Sequence, residues 1–197
     1  MTIFVMTGIP GSGQSSTASE LSTIIKGLNP NFTCSVFTRN IDIPRRYYDS
    51  NSGSMVQKRH ELYKWVQDST ENDYAIVDIP FLTAFDRADF INEIVDAAEK
   101  VGNKNLVIVS VYHERSYRYL YDRYANGDER LPKETQQMLT RYIRRFQQPI
   151  RDEGFDLIYR IGGKDVLNKN QLFKMLYKIT DDDIWNVTEE TEDNEKE

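Results

Sequence analysis

Short apolar, β-branched runs alternate along the chain with longer stretches of helical periodicity. Ile3 to Thr7, Thr33 to Thr38, Tyr74 to Asp78, Asn105 to Tyr112 and Asp156 to Ile161 read as buried strands. Between them, apolar residues recur at helical spacing over about Ser15 to Leu28, Gly53 to Asp68, Ala84 to Val101, Glu114 to Tyr124, Lys133 to Arg151 and Asn168 to Ile179. Strand and helix taking turns implies crossover connections. The pattern therefore predicts an α/β fold: a mainly parallel five-stranded sheet with helices on both faces, a three-layer α/β/α arrangement. Ligands of such sheets sit outside the carboxyl ends of the strands, so chemistry is sought there. Residues 1–180 read as one domain with a helical lid at about 114–150, in which Tyr124 to Pro132 separates two helices.

Composition narrows the classes. A chain of 197 residues is long enough for a sizeable core, since domains of this size bury roughly 70% of the surface of the unfolded chain. Cys34 is the single cysteine, which excludes a disulfide framework and a cysteine zinc site and points to a reducing compartment; His60 and His113 lie far apart in sequence. No apolar run approaches the roughly 20 residues of a membrane span, and the N-terminal stretch TIFVMTGI lacks the basic flank and cleavage site of a signal peptide. A cytoplasmic protein with no membrane partner is expected.

The formal charge of -6 is unevenly spread. DDDIWNVTEETEDNEKE, from Asp181 to Glu197, holds nine acidic residues and one lysine, so the remainder carries about +2. The segment reads as a solvated, disordered tail, having almost nothing to bury. The alternative is an internal mimic of nucleic acid that covers a basic groove.

The most specific signal is Gly8-Ile9-Pro10-Gly11-Ser12-Gly13-Gln14-Ser15, which follows the first strand, opens the first helix and continues into Ser16. That is the context of the phosphate-loop pattern GxxxxGK[ST]. Its glycines let backbone amides approach an anion closely, and the first turn of the helix adds unpaired N–H groups and a positive dipole end. Gly8, Pro10, Gly11, Ser12, Gly13, Gln14, Ser15 and Ser16 are the candidate nucleotide contacts, with the Ser15 hydroxyl placed to ligate magnesium. A bare strand-to-helix turn is the competing reading. Gln14 stands where the pattern has lysine. Losing one preorganised electrostatic contact costs about 3–4 kcal/mol, or roughly 10²- to 10³-fold in rate. Three readings follow: an arginine elsewhere supplies the charge, the protein binds nucleotide without turnover, or the glutamine replaces a native lysine artificially.

Beyond the second strand lies Arg39-Asn40-Ile41-Asp42-Ile43-Pro44-Arg45. A carboxylate here suits a general base toward an attacking hydroxyl, and an arginine three residues on suits a phosphate clamp; Asp42 and Arg45 take those roles. The same spacing also suits a helix cap and an exposed charge. The third strand ends on Asp78, which fits a ligand of a magnesium-bound water or a partner to Ser15; it also fits a helix cap. Tyr47, Tyr48, Tyr63, Trp65, Phe81 and Phe85 offer base-stacking faces, but Tyr63 and Trp65, two apart, do not share a helix face, and no one stacking residue is singled out.

From Arg115 to Arg151 the chain carries nine basic residues against four acidic ones. Two helices around a loop with arginines at the hinge would close over a triphosphate and supply the charge that Gln14 lacks; Arg123 and Arg130 are the first choices. Surface pairs such as Arg118 with Asp122 are the competing reading.

With these residues in view, the chain resembles the kinase domain of the bacteriophage polynucleotide kinases and their phosphate-loop kinase relatives. The matches are GIPGSGQSS against GxPGSGKST, Asn40-x-Asp42-x-x-Arg45, the strand ending in Asp78 and the lid stretch Arg123 to Pro132, over roughly residues 1–150. The resemblance implies a P-loop NTPase-like fold and transfer of the γ-phosphate of ATP, or another nucleoside triphosphate, with Mg²⁺. The acceptor would be a 5′-hydroxyl or hydroxymethylated base of a nucleic acid, or a nucleoside or nucleotide. Asp42 would activate the acceptor hydroxyl, Arg45 would grip its phosphate, and a lid arginine would stabilise the transferred group. A phage-encoded member would work in the host cytoplasm. The near-neutral body predicts no strong electrostatic footprint for a long polyanion.

Overall fold

The computed structural model describes residues 1–38, 64, 65, 68, 69, 72–100, 102, 105–127 and 132–162. Asp42, Arg45, Arg130, the expected helix Asn168 to Ile179, most of the expected helix Gly53 to Asp68 and the acidic tail lie outside these residues. In chain order the described elements are β1 (Thr2–Gly8), α1 (Gln14–Leu28), β2 (Cys34–Thr38), β3 (Tyr74–Asp78), α2 (Ala84–Lys100), β4 (Val107–His113), α3 (Tyr117–Gly127), α4 (Pro132–Arg145), a 3-10 turn (Arg151–Glu153) and β5 (Leu157–Ile161).

All five strands are parallel and lie in the order β2-β3-β1-β4-β5. The apolar runs of β1, β3 and β4 are buried on both faces, which is why they read as continuous rather than alternating. Ile3, Val5, Ala75, Val77 and Ile108 pack on one face against Phe90, Ile91, Ile94 and Ala97 of α2. By the two-residue strand period the opposite face carries Phe4 and Tyr74, whose rings stack at 6.3 Å. α1 covers that face: Ser22 reaches Cys34, the register partner of Tyr74. Helices thus lie on both sides of the sheet, as the alternation predicts.

The helix ends have local causes. Thr83 caps α2 through its hydroxyl, which accepts from the Asp86 amide at 3.1 Å, and Ser116 caps α3 by accepting from the Tyr119 amide. α3 runs to Gly127, past the expected end at Tyr124, whose ring lies against Gly11 of the loop after β1. α4 stops at Arg145, short of the expected Arg151. Pro149 disfavours helix before it, and Gln147 is instead tied to the start of α2, donating from its amide to the Leu82 carbonyl at 2.8 Å and accepting from the Ala84 amide at 2.7 Å.

Beneath this corner, Arg87 of α2 is fully buried and holds Glu153 in a two-pronged ion pair, Nη2 to Oε1 at 2.8 Å. The Ile150 amide donates to the same carboxylate. Among the described residues no helix is long and apolar enough to cross a membrane.

Candidate nucleotide site

Three neighbouring strands, β3, β1 and β4, deliver Asp78, the Gly8–Ser15 loop and His113 to the carboxyl edge of the sheet. The loop turns through positive φ at Gly8 (146°), Gly11 (88°) and Gly13 (108°). Two of these glycines also answer a close approach: a Cβ at Gly11 would meet the Tyr124 ring at 2.8 Å, and one at Gly8 would meet Ser12 Oγ at 2.8 Å and the His113 carbonyl at 3.0 Å. The Ser12 amide donates to the Ile9 carbonyl at 3.0 Å, closing the turn.

α1 opens at Gly13 with no side-chain cap and no acidic residue in its first turn. Its leading amides are therefore left for an external acceptor, in the field of the positive end of the helix dipole. Ser12 Oγ is fully buried and finds no hydrogen-bond partner among the described residues. An orphaned buried hydroxyl, a glycine cradle and an uncapped helix start are what a polyphosphate-binding loop requires, so these residues fit a nucleoside triphosphate.

Gln14 is buried and donates from Nε2 to the Gly8 carbonyl at 3.3 Å, joining the two ends of the loop. Ser15, one position on, shares a hydrogen bond with Asp78, and burial pushes the Asp78 carboxyl above its usual range while that bond pulls it back in part. Among the described residues no cluster of three metal-ligating side chains occurs. Ser15 and Asp78 are nonetheless the oxygen pair that suits a hydrated magnesium, which keeps most of its waters and takes few protein ligands.

His113 lies under the loop. Its Nδ1 is 3.3 Å from the Thr7 carbonyl and its Nε2 is 2.8 Å from the Thr17 hydroxyl. A carbonyl only accepts, so Nδ1 carries the proton and Nε2 accepts from Thr17, the tautomer of a neutral imidazole. Burial lowers its pKa to about 4. The ring thus links the last turn of β1 to the first turn of α1.

Arg115 lies just ahead of α3 and donates from Nε to the Ser12 carbonyl at 3.2 Å and from Nη1 to the Gly162 carbonyl at 3.4 Å, with Tyr119 5.2 Å beneath its guanidinium. It brings a positive charge to the loop. Arg123 is exposed and donates to the Tyr119 hydroxyl within its own helix at 3.2 Å. Of the aromatic candidates, Trp65 and Phe81 pack against the core, on Phe37 and Phe90 respectively, whereas Phe85 is three-quarters exposed. The sequence pattern gives His113 no role, and it includes Arg115 among the lid arginines but prefers Arg123 and Arg130; of those among the described residues it is Arg115 that meets the loop.

Similarity to solved structures agrees with this geometry. Kti12 from Chaetomium thermophilum, in complex with ADP-AlF3, superposes with a TM-score of 0.65 at 16% identity over 90% of this chain and 96% of that one. A fungal RNA kinase superposes with a TM-score of 0.56 at 16% identity, over 94% of this chain and 86% of that one. The chain shares the α/β fold of these two structures. No protein-family model matches the sequence, and no curated protein sequence matches it.

Proposed function

We propose that the protein is a phosphoryl-transfer enzyme that moves the γ-phosphate of ATP, or another nucleoside triphosphate, to a hydroxyl of a nucleic acid or nucleotide. The observation that carries this reading is the loop itself, three left-handed glycines leading into an uncapped helix whose Ser15 is bonded to Asp78. The fold shared with Kti12 and with a fungal RNA kinase supports it. In this reading the amides of residues 8–15 hold the polyphosphate, and Arg115 sets positive charge beside the loop where Gln14 has none. Ser15 and Asp78 hold the magnesium, which when bound neutralises polyphosphate charge. Asp42 accepts the proton of the acceptor hydroxyl, Arg45 grips its phosphate, and Arg123 and Arg130 close from the lid.

The test is transfer of labelled phosphate from ATP to oligonucleotide and mononucleotide acceptors. Asp42→Asn abolishes transfer and leaves ATP binding intact. Equal turnover by that variant overturns the assignment of the base, and no transfer to either acceptor overturns the enzyme reading.

A second reading is a nucleotide-binding switch without turnover. The Gln14 bond to Gly8 favours it, because the residue at the lysine position is engaged with the loop rather than aimed outward. A natural protein that is inert, with Gln14→Lys active, selects the switch; robust turnover with Gln14 selects the enzyme.

A further inference from the structure

The outward face of α4 carries Lys133, Arg141, Arg144 and Arg145, with Gln136, Gln137 and Thr140 between them. These residues recur at the three- and four-residue spacing of a single helix face and all are exposed; the one carboxylate of α4, Glu134, is also exposed and lies in its first turn. The inward face, with Thr135, Met138 and Leu139, is buried, and Ile143 is the one large aliphatic side chain of α4 left exposed, which does not make the apolar stripe that entry into a lipid surface needs.

We infer that this face of α4 is a docking track for the phosphodiester backbone of a nucleic-acid strand. Pro132 to Arg145 spans about 21 Å at the helical rise, and phosphates follow one another about every 3.4 Å along one strand of a duplex, so the track covers several consecutive phosphates. Three of its four cations are arginines, whose planar fork matches phosphate oxygens; glutamine and threonine add neutral donors. The track also leads to the reaction site. Phe146, next after α4, stacks on Tyr112 at the carboxyl end of β4, and Gln147 is bonded to Leu82 and Ala84, just beyond the strand that ends in Asp78. A strand along α4 therefore runs toward the sheet edge that carries the phosphate loop. The inference deepens the acceptor side of the proposed function and rests on that reading for its purpose, though not for its measurement.

The test is fluorescence anisotropy of a labelled 12-nucleotide single-stranded DNA with the full chain, without ATP, from 50 to 200 mM salt. The expected result is binding that weakens with salt. In the quadruple variant Lys133→Gln, Arg141→Gln, Arg144→Gln, Arg145→Gln, the slope of log affinity against log salt should flatten by about 0.7 per cation removed, roughly 2.8 in total. Lys26→Gln, at the far end of α1, should leave the slope unchanged. No binding by the natural chain at 50 mM salt, or an unaltered slope in the quadruple variant with an unchanged melting temperature, overturns the inference. So does binding to phosphatidylserine vesicles in place of DNA. If the track binds DNA but the chain transfers no phosphate, the docking surface stands and the enzyme reading fails; if the quadruple variant phosphorylates a mononucleotide normally yet loses the oligonucleotide, both stand.

Discussion

The side-chain amide of Gln14 donates to the carbonyl of Gly8 across 3.3 Å, so the residue at the lysine position of the phosphate loop closes the loop on itself. A neutral amide contributes a dipole and a staple but no counter-charge for a transferring phosphoryl group. Gln14→Lys should therefore raise the rate of transfer by about 10²- to 10³-fold. Gln14→Ala should weaken ATP binding by about 0.5–1.5 kcal/mol, the worth of one hydrogen bond. Steady-state kinetics and calorimetry of the two variants read these effects separately, and a slower Gln14→Lys enzyme would contradict the account.

His113 gives the stability of the fold a pH dependence of known sign. In the native state its pKa is about 4 against 6.5 for an ordinary histidine, so between those values the unfolded chain binds more protons. Its contribution is complete above pH 6.5 and is lost as the pH falls toward 4, by about 3 kcal/mol in all. Carboxylates titrate in the same window, so the measurement is the difference between the natural chain and His113→Gln in chemical unfolding from pH 4 to 7. The difference should widen as the pH rises; a constant offset would contradict the buried neutral imidazole.

Much of the sheet was legible because its signal is local. Tyr74 to Asp78 is recovered with both ends as expected, and the other strands shift by one or two residues, since a β-branched run bounded by turn residues has few alternatives. The phosphate loop was legible for the same reason: its glycines, its flanking strand and the serine in register lie within a dozen residues. The remainder is a matter of distance along the chain. His113 meets Thr17 and Arg115 meets Ser12 across about a hundred residues, and Arg87 meets Glu153 across 66; only the folded sheet brings them together. Charge is legible as a count but not as a placement: the nine basic residues between Arg115 and Arg151 stand out in the sequence, whereas the helix bounds show which of them share one face of α4.

Asp78→Asn keeps a hydrogen-bonding partner for Ser15 while removing the carboxylate charge. If Asp78 and Ser15 hold the metal, magnesium should cease to strengthen ATP binding in this variant, and affinity without metal should stay the same. Titrations with and without magnesium decide it. Retention of the full magnesium effect would place the metal elsewhere.

Arg87 and Glu153 form the buried tie between α2 and the turn that precedes β5. Removing one partner leaves the other charged in a buried site. Glu153→Gln and Arg87→Met should each destabilise the fold by about 3–5 kcal/mol, read as a shift in the denaturant midpoint. The double variant Arg87→Met, Glu153→Leu should recover much of the loss, because neither charge is then stranded.

In the proposed function every other role follows from the amides of residues 8–15 holding the terminal phosphates of a nucleotide. The direct measurement is isothermal calorimetry of ATP with magnesium against the natural chain and Gly11→Val, a substitution that forces a β-branched side chain into a left-handed turn and into the Tyr124 ring. Saturable one-to-one binding by the natural chain, lost in Gly11→Val while far-UV circular dichroism is unchanged, is the predicted result. No heat of binding by the natural chain, or the same affinity in the variant, would contradict it.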